Sequence, residues 1–195
     1  MNGIKTAKGN PTMVSVLRPT SEMRIERVDG IWSAAAKELL KLAEEALPGK
    51  RLILRDLIPL DLGLTNNEWI ETSGADNAWA DTSIAAMTMA DNRFVAIIGV
   101  KVISGHTTPP ISALKFNVGG SEVARWDLYP AFVAYTLTTS GATEHVNPVC
   151  ITEGPIIITQ NAPFTIAEYT IEAAAVYKMA VLGLVCEPEG KTIKP

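Results

Sequence analysis

The chain has 195 residues, of which 47% are hydrophobic and 19% charged, and its formal net charge is −4. This length suits one large domain with or without an appendage, and two cysteines are too few for a disulfide framework. No run reaches the roughly 18 apolar residues of a membrane-spanning helix, so we expect no integral membrane segment. Residues 1–20 lack the apolar core of a signal peptide, so we expect synthesis in a reducing cytoplasm without secretion.

The mean hydropathy of +0.17 is high for a soluble monomer of this size. Either the core is very large, or apolar surface is buried against other subunits. We favour the second interpretation, because large apolar patches on soluble proteins usually meet a partner. The composition therefore predicts that copies of this chain contact one another.

Residues 1–28 are predicted to form an extended arm, because glycine and proline recur through them. The arm has a net charge of +3, which leaves −7 for the remainder of the chain. A basic arm can dock on the acidic body of a neighbouring copy, with Arg18, Arg24 and Arg27 as contact candidates, or remain a solvated tail. Its segment Met13–Leu17 is β-favouring and can add a strand to a sheet edge, its own or a neighbour's. We expect contact with nucleic acid only through this arm, since the acidic body repels phosphate.

Residues 30–47 are predicted to form an amphipathic helix, with apolar residues at helical spacing and Pro48-Gly49 after them. An alanine stripe would let the helix lie close to the element it packs against. We favour a sheet of its own chain as that element. If the helix instead meets another copy, Trp32 and Leu39 are the contact candidates.

Residues 60–83 are predicted to be a long irregular loop that follows a strand over residues 51–59. The loop carries Trp69 and Trp79, which are too large and apolar to be left in water. We expect these two side chains to pin the loop to the body or to a neighbouring copy.

From residue 93 onward the pattern predicts strands separated by glycine and proline turns. The predicted strands are residues 93–104, 111–118, 121–129 and 131–139, the segments on either side of Gly154-Pro155, and a pair within 164–186. Gly119-Gly120 indicates a hairpin. The fold class is therefore mainly β, an antiparallel β-sandwich or jelly roll over residues 29–195, with the arm and one helix added.

No catalytic or metal-binding motif is present, and no cofactor is expected. His106 and His145 stand in turn-like sequence without metal-ligand spacing. Cys150 and Cys186 lie in apolar segments and are interpreted as buried core residues. The acidic pairs Glu122 with Asp127 and Glu168 with Glu172 are interpreted as outward-facing strand residues, so we expect no enzyme activity.

Two alternatives remain open. Trp126, Tyr129 and Tyr135 can form a stacking platform for sugars, as in carbohydrate-binding β-sandwich modules, although core and interface packing is the favoured interpretation. The other alternative is an enzyme on a cupin-like barrel, but the paired histidines of that class are missing from this sequence.

The order of the arm 1–28, the helix DGIWSAAAKELLKLAEEALPG, the loop 60–83 and the strands of 93–187 resembles that of jelly-roll virion proteins. The resemblance implies a capsid or capsid-associated subunit that assembles in many copies and is located in the virion. Its partners would be other copies of itself and other virion proteins. The arm and helix would contact neighbours while the sandwich builds the wall.

Overall fold

A computed structural model describes residues 17–18, 25–84, 87–103, 110–128 and 149–190 of the chain. Within these residues two antiparallel sheets face each other, and one helix lies on the outer side of one sheet. The predicted β-sandwich with one amphipathic helix is therefore confirmed. The predicted strand over residues 131–139 lies outside the described residues.

Over these described ranges, sheet A has six strands and sheet B has five. Sheet A contains β1 (Leu17–Arg18), β2 (Leu52–Asp56), β3 (Ile70–Thr72), β6 (Phe94–Ile103), β9 (Val149–Ile158) and β11 (Val176–Pro188), in the order β1-β9-β6-β11-β2 with β3 also on β11. Sheet B contains β4 (Trp79–Asp81), β5 (Met87–Thr88), β7 (Ile111–Val118), β8 (Ser121–Asp127) and β10 (Pro163–Thr170), in the order β4-β10-β7-β8 with β5 also on β10.

The main core lies between the two sheets and follows the alternation of their strands. On β7 and β8 the inward residues Leu114, Phe116 and Trp126 are at most 2% exposed. The predicted hairpin between these strands is present. Its turn residues Gly119 and Gly120 have φ of 63° and 80°, a conformation that glycine adopts without steric cost.

The helix α1 (Ile25–Ala46) covers the outer face of sheet A. Its fully buried residues Ala35, Leu39 and Ala43 pack against β6 and β11. The helix begins at Ile25, before the predicted start at residue 30. The prediction missed this turn because residues 1–28 were interpreted as an extended arm, whereas the helix includes the last of them and continues through Gly30.

Sheet A is thus buried on both faces, and β6 at its centre is buried continuously over residues 94–100. Such a strand needs apolar side chains at every position rather than at alternate ones. A substantial part of the apolar surplus therefore serves packing within this chain.

Two further segments differ from their predictions. The region 60–83 contains a 3₁₀ turn (Pro59–Leu62) at its start and the short strands β3 and β4, so it is only partly irregular. The two short strands predicted around Gly154-Pro155 form one strand, β9. Its pairing with β6 shifts register where Ile97 pairs with Ile156 and Gly99 with Ile151, and this bulge accommodates the proline.

Candidate functional site

The outer face of sheet B carries polar and aromatic side chains, in contrast to the outer face of sheet A beneath the helix. We call the group Trp79, Lys115, Glu122, Arg125 and Tyr169 the Trp79 patch. Its members come from four strands that are adjacent in the sheet, in the order β4, β10, β7 and β8. Trp79 is 36% exposed, which is unusual for an indole.

The Trp79 ring is the centre of the patch. The ring of Tyr169 meets it edge-on, with centroids 5.5 Å apart. The ammonium of Lys115 lies 3.8 Å from the Trp79 ring centroid, and the guanidinium carbon of Arg125 lies 5.6 Å from it. Both distances are within the range of cation–π attraction. The indole therefore attracts two cations from strands that lie beyond β10.

The register of β4, β10 and β7 explains how the indole comes close to the two cations. Ala167 on β10 is paired with both Asp81 on β4 and Lys115 on β7. Its neighbours Ile166 and Glu168 point into the sandwich, so Ala167 points outward, yet it is only 7% exposed. Because this small residue lies between β4 and β7, the larger side chains around it cover it.

The patch concentrates positive charge. Lys115 and Arg125 are directly paired across β7 and β8, an arrangement that is unfavourable for two like charges. Glu122 compensates by a two-pronged ion pair, with Arg125 Nε and Nη2 each 2.9 Å from a carboxylate oxygen. Its hydrogen bonds with Arg125 hold the pKa of Glu122 below its ordinary value, with further help from Lys115. One cation is therefore paired with a carboxylate, and the other is held by the indole.

A buried carboxylate lies behind the patch, one residue from Tyr169. Glu168 is 1% exposed, so its interpretation as an outward-facing residue is wrong. It accepts hydrogen bonds from the hydroxyls of Tyr177 and Thr170 and, at 3.0 Å, from the backbone N–H of Gly74. Because side chains alternate along a strand, Tyr169 points outward and Glu168 points into the sandwich. The three donors offset the cost of burying this carboxylate. Glu172, by contrast, is exposed in the turn after β10.

A second buried carboxylate holds the other end of the same segment. Glu71, 6% exposed, accepts hydrogen bonds at Oε1 from Thr72 N–H, at 3.0 Å, and at Oε2 from Ser83 N–H and Oγ, at 2.7 and 2.8 Å. Gly74 precedes β4 and Ser83 follows it. Glu168 and Glu71 therefore fix both ends of the segment that presents Trp79.

Burial changes the acidity of this group. Desolvation raises the pKa of Glu168, and the negative charge of Glu71 adds to the effect. Burial also raises the pKa of Tyr177, with a further contribution from the charge of Glu168. The phenol therefore stays protonated and donates to Glu168 throughout the physiological pH range.

A separate ion cluster, which we call the ion quartet, closes one end of sheet A. It consists of Arg55, Asp61, Arg93 and Glu187, and each carboxylate contacts both arginines. The shortest contact, Arg55 Nη1 to Asp61 Oδ2, is 2.6 Å, and both carboxylates are fully buried. With two charges of each sign and charge-assisted hydrogen bonds throughout, the quartet ties together β2, the 3₁₀ turn, β11 and the residue that precedes β6.

The predicted contact residues lie in different places. Trp79 is exposed in the patch, whereas Trp69 is half-buried against the main core, Trp32 is half-buried beside sheet A, and Leu39 is fully buried there. The side chains of Arg18 and Arg27, and the whole of Arg24, lie outside the described residues.

The predicted sugar platform is not assembled at the surface around Trp126. That residue is 2% exposed and packs against Phe116, with ring centroids 4.3 Å apart. Tyr129 and Tyr135 lie outside the described residues, as do His106 and His145. Sequence reasoning missed Lys115, Arg125 and Tyr169 as a group, because only strand register brings them beside Trp79.

Over the described ranges, no group of three or more metal-ligating side chains is close enough to hold an ion. Of the helical residues that the structure describes, none form a segment with the length and hydrophobicity needed to cross a bilayer. Comparison with family models, with curated proteins and with solved structures finds no match to this chain.

Proposed function

We propose that this protein is a structural, self-assembling subunit, a capsid or capsid-associated protein that builds a multi-copy shell. Its role is to bind other copies of itself and other virion proteins, and it has no enzymatic activity. In this proposal it is made in a reducing cytoplasm and resides in the virion. Nucleic acid is contacted only through the basic arm.

The observation that carries the proposal is the Trp79 patch. Tryptophan, tyrosine and arginine are the side chains that most often dominate the binding energy of protein interfaces. The patch combines Trp79, Tyr169 and Arg125 on one broad sheet face, while the helix covers the opposite side of the sandwich. A face of this composition is suited to contact with another protein.

The N-terminal pairing adds support. Leu17 and Arg18 pair with Cys150 and Val149, so the arm adds a strand next to β9 in sheet A. A segment that extends its own sheet can extend a neighbour's by the same backbone hydrogen bonds. Strand addition of this kind would link subunits without any new side-chain contact.

The test is the mass and shape of the purified full-length protein. Light scattering and electron microscopy over a range of concentrations and salt are expected to reveal oligomers, shells, tubes or rings. Deleting residues 1–18, which removes β1, should weaken the assembly and leave the circular dichroism spectrum of the body unchanged. A protein that remains monomeric under every condition would contradict the proposal.

Sugar binding on the same face is the second candidate, because Trp79 and Tyr169 are surrounded by hydrogen-bonding side chains. Against it, Lys115 already lies over the indole, and stacking on a sugar needs a free ring face. A glycan array separates the candidates: retention of a defined glycan that is lost in Trp79→Ala favours sugar binding. Trp126→Phe, a conservative core change away from the patch, is the control.

A further inference from the structure

One row of side chains crosses the outer face of sheet B with a change of charge from end to end. Register aligns Asp81 on β4, Ala167 on β10, Lys115 on β7 and Arg125 on β8. The row has an acidic side chain at its β4 end, a small side chain in the middle and two basic side chains at its β7–β8 end. The adjacent row begins with Trp79 and Tyr169, which are paired in the same way.

We propose that this face binds the same face of a second copy, in a dimer whose twofold axis runs parallel to the strands. The inference rests on the proposed self-assembly and names one surface that carries it. It commits to a second copy because the row is complementary to itself after this rotation.

The geometry of the rotation gives the complementarity. Two sheets stacked face to face lie about 10 Å apart. A twofold axis along the strands reverses the strand order, so β4 of one copy lies opposite β8 of the other. Asp81 then faces Arg125 of the second copy, and the contact occurs twice. The guanidinium of Arg125, which also pairs with Glu122 of its own copy, and the carboxylate of Asp81 can together span the gap, while the larger side chains that cover Ala167 fill the centre of the contact.

The size of the face predicts a weak dimer. Strands β4, β10, β7 and β8 have 3, 8, 8 and 7 residues, so at about 3.3 Å per residue and about 4.8 Å per strand they cover roughly 400 Å². A standard interface buries about 800 Å² per partner, which is more than this face provides. We therefore expect a dissociation constant on the order of 100 µM, which becomes effective when many copies are held together.

The experiment mixes two charge-reversed variants, Asp81→Arg and Arg125→Glu. Each variant alone places like charges opposite each other at both contacts, so its dissociation constant should rise by about tenfold or more over that of the wild type. In an equimolar mixture, one contact of the mixed dimer joins the two introduced side chains, which have opposite charges. The other contact joins the original Asp81 and Arg125, so dimers should reappear. Sedimentation velocity from about 10 µM to 1 mM measures this.

Two controls accompany the mixture. Lys178→Glu reverses an exposed charge on sheet A and should not change sedimentation, and thermal melts should show that every variant is folded. If the wild type associates but the reversed variants associate equally well, this surface is refuted and self-assembly stands. A mixture that stays monomeric while the wild type dimerises also refutes it, and a wild type that is monomeric throughout overturns both proposals.

Discussion

The phenol of Tyr177 on β11 donates a hydrogen bond to Oε2 of Glu168 on β10, and this buried bond joins sheet A to sheet B beside the turn that connects the two strands. Both residues are at most 2% exposed. The same carboxylate also holds Gly74, so the segment that carries Trp79 is tied to the contact between the sheets.

This carboxylate predicts a pH dependence of stability. Because the pKa of Glu168 is raised, the folded protein binds its proton more tightly than the unfolded chain does. The resulting stability is fully present below the ordinary value of 4.5 and is lost as the pH rises through the raised pKa. The free energy of unfolding should fall by up to about 1.4 kcal/mol per pH unit for this one proton.

Glu168→Gln removes the titrating group. The free energy of unfolding, measured with urea at several pH values, should therefore fall with a smaller slope against pH above pH 4.5 than that of the wild type. The matched control is Glu172→Gln, because Glu172 is exposed in the following turn. The control should keep the wild-type slope. Equal slopes for Glu168→Gln and the wild type would contradict the assignment.

The ion quartet predicts a large cost for removing one cation. Arg93→Met leaves two buried carboxylates with Arg55 alone, so the free energy of unfolding should fall by about 3 kcal/mol or more. Arg51→Met breaks the ion pair with Glu189, whose partners are 82% and 49% exposed, and should change stability by no more than about 0.5 kcal/mol. Denaturant unfolding of both variants measures the difference, and similar losses would contradict the role of burial.

Two glycines should respond to alanine in opposite directions. A Cβ at Gly183 would lie 2.2 Å from the carbonyl oxygen of Ala96, so β6 must move and we expect a loss of about 2–3 kcal/mol. Gly30 lies inside α1 with nothing within 4 Å of its Cβ position, so Gly30→Ala should stabilise by about 1 kcal/mol. Thermal melts of the two variants give the signs, and a neutral Gly183→Ala would contradict the close approach of β11 to β6.

Cys186 should be unreactive in the folded protein. It is fully buried beneath α1, and desolvation, with the charges of Glu187 and Glu44, raises its pKa to about 11. At pH 8 only about one thiol in a thousand would be ionised. In a Cys150→Ser background, labelling with a thiol reagent should require unfolding and be at least about a thousandfold slower in the native state. Fast native labelling would contradict the burial.

The fold class was predictable because its signals are local. These signals are the alternation in residues 111–127, the pair Gly119-Gly120 within that range, and the helical spacing after Gly30. Each of them depends on neighbours in sequence. The same local reading explains the error at Glu168, since alternation indicates which residues share a face but not which face a charged residue occupies. Its donors at Gly74 and Tyr177 come from distant parts of the chain.

The candidate site was only partly predictable for the same reason. Trp79 stood out as an apolar residue in a polar loop, but its neighbours Lys115, Arg125 and Tyr169 follow from register between four strands. The ion quartet likewise joins Arg55 to Glu187 across most of the chain. The apolar surplus was interpreted as surface for contacts, whereas the double coverage of β6 places a substantial part of it inside.

The position of β11 in the middle of sheet A has a consequence for folding in the cell. β2 is made early, but its partner in the sheet is β11, and β6 also pairs with β11 along most of its length. On the ribosome these early strands and the apolar stripe of α1 must wait for β11, which begins more than a hundred residues after β2 ends. Folding of sheet A should therefore be slow, as expected for long-range pairing, and nascent chains should depend on chaperones until β11 emerges.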